Sequence, residues 1–173
     1  MHGSGIHRGE GLVKMRNKGR RRPPTGLARW MFRLPIQLYR LGLGRVLGSR
    51  FMLLTHTGRV TGRQRQVVVE VVGGGPHEGS YFACSGYGEK SAWYRNVLAQ
   101  PQVRIQVGDR RMIADAEPLG PQQASEVMAR YAARNPRAAR ALCRFMGFDV
   151  DGGDADFRAV GRELPFVRFT PRP

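Results

Sequence analysis

The chain has 173 residues, with 29 Lys and Arg against 13 Asp and Glu, a formal charge of +16, and 41% of its residues are hydrophobic. That apolar content excludes a wholly disordered chain, and the length suits one domain better than two. The charge is uneven: residues 1–50 hold 12 Lys and Arg and one acid, a net of +11, which leaves +5 on the remainder, so the folded body is only mildly basic.

Residues 1–26 combine glycine, proline and a cationic run with little to bury, and read as a flexible basic arm preceding a single domain over 27–173. The arm is either a solvated leader or a contact for nucleic acid or phospholipid. From Leu27, apolar residues at 27, 30, 31, 34, 38 and 41 follow helical spacing with arginines on another face, although Pro35 interrupts the pattern. Such an amphipathic helix packs on its own domain or lies on an anionic membrane surface.

After Gly48 the period becomes that of strands. Phe51–Thr57, Gln66–Val72 and Ser80–Ser85 are β-rich runs with glycine-rich connections, and Val103–Val107 faces Arg111–Pro118 across Gly108-Asp109 as a hairpin. Between them, Ser91 is placed to cap a short helix that ends before Pro101. Helices follow near Pro121–Ala133, Pro136–Met146 and Asp154–Glu163, then a last strand Phe166–Thr170. The fold class is therefore α+β, mainly β: a small antiparallel barrel with one inserted helix, an N-terminal amphipathic helix and C-terminal helices.

Several chemistries lack their residues. Cys84 and Cys143 are too few and too far apart for a disulfide framework or a CxxC pair, and the four histidines share no helical face, so no metal site is expected. No phosphate loop of the GxxxxGK[ST] type is present, and Ser85 is not in a GxSxG elbow. His56, inside an apolar strand, reads as a hydrogen-bonded core or rim residue rather than a base. No stretch reaches the ~18 uncharged apolar residues of a membrane span, and a cytoplasmic protein is expected.

The informative stretch is Thr57-Gly58-Arg59-Val60-Thr61-Gly62-Arg63-Gln64-Arg65. Its glycines allow the backbone to turn, the threonines offer hydroxyls, and guanidinium forks pair with phosphate or carboxylate oxygens. An ordinary hairpin with solvated arginines would read the same way. A second loop, Ser85 to Ser91, enters the helix carrying Trp93, Tyr94 and Asn96, which either serve a flat ligand or form the core face of that helix.

Together, LLTHTGRVTGRQR, VVVEVV, YFACSG and AWYRNVLAQPQVRIQV, in that order, resemble the deazaflavin-dependent nitroreductase family over residues 35–118. The motifs are TGRxxGxxR (Thr57, Gly58, Arg59, Gly62, Arg65) and WYxNLxAxPxVxV (Trp93, Tyr94, Asn96, Val97 and Leu98, Ala99, Pro101, Val103, Ile105). The segment QQASEVMARYAARNPRAARALCRF resembles a subgroup with a helical extension.

That resemblance implies a split β-barrel, coenzyme F-420 as cofactor, and hydride transfer to an electron-poor small molecule such as an activated alkene, a quinone or a nitro compound. It implies that Arg59, Arg63 and Arg65, with the Thr61-Gly62 backbone, grip the phosphate and acidic tail of the coenzyme. Val67 and Val68 would lie along the ring, and Ser85, Gly86, Lys90, Trp93 and Asn96 would close the pocket. The loop here is shorter than the ASxGGxxxxPxWY form of the family, with Tyr87 at a glycine-like position. The proton that follows the hydride comes from Tyr87, Tyr94, Tyr131 or water. Alternatives are a coenzyme carrier without turnover, FMN or haem in the same barrel, or a membrane-surface protein acting through residues 1–50, with nucleic acid the less favoured partner. Oligomeric state stays open.

Overall fold

The computed structural model describes residues 48–173. The expected basic arm and amphipathic helix lie outside that range.

Six strands form a closed barrel in the order β1-β2-β3-β6-β5-β4, with every neighbouring pair antiparallel. They are β1 (Phe51–Thr57), β2 (Gln64–Gly75), β3 (Ser80–Cys84), β4 (Gln102–Val107), β5 (Arg110–Pro118) and β6 (Phe166–Pro171). Helix α1 (Ala92–Ala99) is inserted between β3 and β4, while α2 (Pro121–Arg134), α3 (Pro136–Met146) and α4 (Asp154–Glu163) separate β5 from β6. The barrel and helix order expected from the sequence is present, and closure by the β1–β4 pair leaves no bare sheet edge.

Strand periodicity sorts side chains into two cores. Inside the barrel lie Met52, Leu54, Tyr81, Ile105, Val167 and Phe169, joined by Trp93, Tyr94 and Val97 of α1, which plugs one end. The second core forms outside, where α2, α3 and α4 cover Val72 and Phe166 with Val127, Met128, Cys143, Phe157 and Val160. A register shift between Val71 and Gly73 lets β2 serve both, Val67, Val69 and Val71 joining the inner cluster and Val72 the outer one.

Two expectations change. Strand β2 continues past Val72 through three glycines, because Gly73, Gly74 and Gly75 pair with Phe82, Tyr81 and Ser80. A Cβ at Gly74 would strike the Ser80 carbonyl oxygen, so the close approach of the two backbones requires glycine there. Ser91 precedes α1 but makes no side-chain capping hydrogen bond; its carbonyl accepts from Arg95 N at 3.1 Å instead.

A part-buried hydrogen bond ties the helical layer to the barrel. Tyr131 Oη on α2 donates to Glu70 Oε1 at 2.8 Å, and Arg50 Nε donates to the same oxygen at 3.2 Å. Tyr131→Phe should lower unfolding stability by about 1 kcal/mol, the usual worth of such a bond. Burial and the Glu70 carboxylate raise the Tyr131 pKa above the ordinary phenol range. This contribution is complete below the pKa of the unfolded chain and is lost as pH rises toward the folded value. The drop in denaturant midpoint from neutral to strongly alkaline pH should therefore be larger for wild type than for Tyr131→Phe.

Candidate functional site

Strands β1 and β3 both run antiparallel to β2, so the segments that follow them leave in the same direction, β1 opposite Gln64 and β3 opposite Val71. Helix α1, which follows the loop 85–91, brings Asn96 to the arginine turn, residues 58–63.

The turn is closed by its own backbone: Gly58 N donates to Arg63 O and Gly62 N to Gly58 O, both at 2.8 Å. Gly62 has φ +64°, the left-handed region that side chains other than glycine rarely adopt. Gly62→Ala should cost about 1 kcal/mol in stability and loosen the turn, a change readable as faster amide exchange across residues 58–63. A Cβ on Gly58 would meet Arg65 Nε at 3.0 Å and Thr61 Oγ1 at 3.1 Å, so the turn folds tightly on itself. The side chains of Arg59, Thr61, Arg63 and Arg65 stand exposed. Among the described residues no carboxylate pairs with these three arginines, whereas Arg50, Arg134, Arg158, Arg168 and Arg172 each meet one.

Arg59 is anchored from below. Its backbone N and Nη1 donate to Asn96 Oδ1 at 3.2 and 3.1 Å. Asn96 Nδ2 in turn lies 3.0 Å from His56 Nδ1, and both side chains are buried, 3% and 4% exposed. Burial pushes the His56 pKa down, with the Arg65 charge adding to the effect against a hydrogen bond to the Thr57 backbone. A neutral ring at neutral pH follows. Asn96 thus lies against the arginine turn, with its oxygen occupied by protein donors. His56 belongs to the same cluster as a buried, hydrogen-bonded strand residue, in line with its sequence context; its partner, Asn96, comes from a distant helix that no spacing announces.

The second loop is equally self-bonded. Ser85 is fully buried and its Oγ donates to Gly88 O at 2.8 Å. Gly86 lies under α3, where an added Cβ would come within 3.4 Å of Phe145 Cε1, and the Tyr87 ring meets Phe145 edge-on at 6.0 Å. Lys90 is exposed at the end of a single 3-10 turn, Gly88–Lys90. Trp93, 8% exposed and edge-on to Tyr94 at 6.0 Å, packs in the inner core. Val67 packs against that core, while Val68 pairs with Leu53 on the outward side of the strand. The two valines face opposite ways, so one ring face meets only one of them.

Two grooves lie on the outer face of β1, β4 and β5, at about 370 Å³ and 540 Å³, and share Thr55, Arg104 and Ile113. None of the sequence-derived site residues lines either. Among the described residues no three His, Cys, Asp or Glu side chains converge as a metal site, and both cysteines are free thiols. No described helix is long and apolar enough to cross a membrane. The contact expected for residues 1–50 falls almost wholly outside the described range.

The fold is a closed six-stranded antiparallel barrel with an arginine-bearing turn at the end of β1. Residues 31–142 match the family described as F420H(2)-dependent quinone reductase, and the chain belongs to that family of oxidoreductases. No curated protein matched. Among solved structures, a conserved hypothetical protein, Rv2991 from Mycobacterium tuberculosis, has TM-score 0.52 and 16% identity over 78% of this chain and 80% of that one. A domain-swapped dimer has TM-score 0.51 and 21% identity over 83% and 99%. An F420-H2 dependent reductase, FDR-A, has TM-score 0.49 and 22% identity over 69% and 93%. The first two share the fold.

Proposed function

We propose that the protein binds reduced coenzyme F-420 on the arginine-bearing rim and uses it to reduce a quinone-type acceptor. The single observation that carries this reading is the turn 58–63. Its exposed arginines lack carboxylate partners, and one of them is fastened through buried Asn96, in a chain of this family.

The donor set fits an acidic, phosphate-bearing molecule: Arg59, Arg63 and Arg65 supply guanidinium forks, and Lys90 adds a point charge from the loop that leads into α1. When bound, the coenzyme supplies a hydride from its ring carbon. The work of the chain is binding and aim. Gly58 and Gly62 fix the turn, and Ser85 locks its loop through Gly88, with Gly86 packed beside Phe145. Either Val67 or Val68, Trp93 and Asn96 then support the ring indirectly, through the packing of β2 and α1.

The reduced acceptor also needs a proton. Tyr131 Oη is engaged with Glu70, and burial and that carboxylate raise its pKa above the ordinary phenol range. Tyr94 lies in the inner core, where burial raises its pKa. Tyr87, 39% exposed beside Gly86, and water are the donors left on the rim.

The test is a turnover assay with reduced coenzyme F-420 and a panel of quinones, activated alkenes and nitroaromatics. Acceptor-dependent return of the oxidised-coenzyme absorbance, fastest with quinones, is the expected result. Saturable binding with no turnover on any member would make the protein a carrier.

A further inference from the structure

We infer that His56 is a positioning residue for the arginine turn, acting through Asn96 on the guanidinium of Arg59. The inference rests on the reading of that turn as the coenzyme's anion clamp, and it assigns a role to a side chain that the family motifs leave out.

The hydrogen bonds settle their own direction. Arg59 offers only donors, so the Asn96 atom that meets both its backbone N and Nη1 is the oxygen. The other end of the amide is then the NH2 group, which donates to His56 Nδ1 at 3.0 Å. Nδ1 must carry a lone pair, which places the imidazole proton on Nε2. His56 reaches this position because β1 turns its even-numbered residues inward and ends one residue later, while Asn96 comes from α1, 40 positions away.

The chain from β1 through α1 to the turn holds two Arg59 donors on one buried oxygen. Without it, an exposed arginine samples many rotamers, and ligand binding would have to freeze them. Removing the acceptor on His56 leaves Asn96 Nδ2 without a partner in a buried site, and the amide loses the contact that fixes its plane. The consequence is a weaker clamp with an unchanged hydride step, since His56 does not reach the rim surface.

The experiment uses full-length wild type, His56→Phe, His56→Leu, His56→Gln, Arg59→Met and the His56→Phe/Arg59→Met double variant. Each is titrated with oxidised coenzyme F-420 and assayed with reduced coenzyme and a quinone, folding being checked by melting temperature. His56→Phe should weaken coenzyme Kd and raise KM by about tenfold, with kcat near wild type. His56→Gln, whose amide oxygen can accept the same N–H, should stay within about threefold. Once Arg59 is Met, removing His56 should add nothing further. His56→Leu carries the comparison if the Phe variant does not fold. The inference is overturned if Arg59→Met weakens binding while neither His56→Phe nor His56→Leu does, or if the two losses simply add. If Arg59→Met binds as tightly as wild type, the clamp itself is wrong and the relay falls with it.

Discussion

Reversing two charges on the rim, Arg59→Glu with Arg65→Glu, is expected to weaken coenzyme F-420 binding by roughly 30- to 1000-fold. Two charge-assisted hydrogen bonds are worth about 3 to 6 kcal/mol together when desolvated. These side chains are exposed, so screening reduces the loss to about 2 to 4 kcal/mol. The turn should keep its shape, because its closing bonds run between Gly58, Gly62 and Arg63 backbone atoms. A control with the same change in net charge, Arg110→Glu with Arg137→Glu, separates a local clamp from a general field effect. Arg110 lies at the start of β5 opposite Val107, at the other end of the barrel, and Arg137 is on α3. Fluorescence titration at two salt concentrations is the readout, and an equal loss in the control pair would assign the affinity to net charge alone.

The largest expected change in stability comes from Gly161, where α4 crosses α2. A Cβ there would lie 2.7 Å from Ser125 Cα, 2.8 Å from the Ala124 carbonyl oxygen and 2.9 Å from Met128 Cβ. Two of these are backbone atoms, which cannot rotate aside, so Gly161→Val must pry the helices apart. Overpacking of this kind costs about 3 kcal/mol, a large share of the ~5 to 15 kcal/mol that holds a domain. The outer core around Phe157, Val160 and Phe166 would open. The urea midpoint should drop sharply, with Gly161→Ala in between, whereas coenzyme affinity of the folded variant should hold near wild type. An unchanged midpoint would mean that α4 does not sit on α2 at this point.

Much of this architecture is legible in the chain because the physics involved is local. Alternation in FMLLTHT places Met52, Leu54 and His56 on one face, Gly108-Asp109 turns the β4–β5 hairpin, and Pro121 and Pro136 each open a helix. The glycine end of β2 escapes such reading, since Gly73–Gly75 have little strand propensity and are held by the partner strand. Phe145 over Gly86 and His56 beneath Asn96 are likewise contacts between distant segments that no spacing announces. The opposed directions of Val67 and Val68, by contrast, follow from the period of a strand alone. The arginine turn was visible because its chemistry is contiguous; the support beneath Arg59 was not, because it comes from β1 and α1 together.

A crystal structure of the protein bound to coenzyme F-420 tests the central claim most directly. The account predicts phosphate or carboxylate oxygens of the coenzyme within about 3 Å of guanidinium nitrogens of Arg59, Arg63 or Arg65, and the ring on the Ser85–Gly86 side of the rim. An acidic end seated instead in the outer groove beside Arg104 and Arg111, with the turn making no contact, would contradict it.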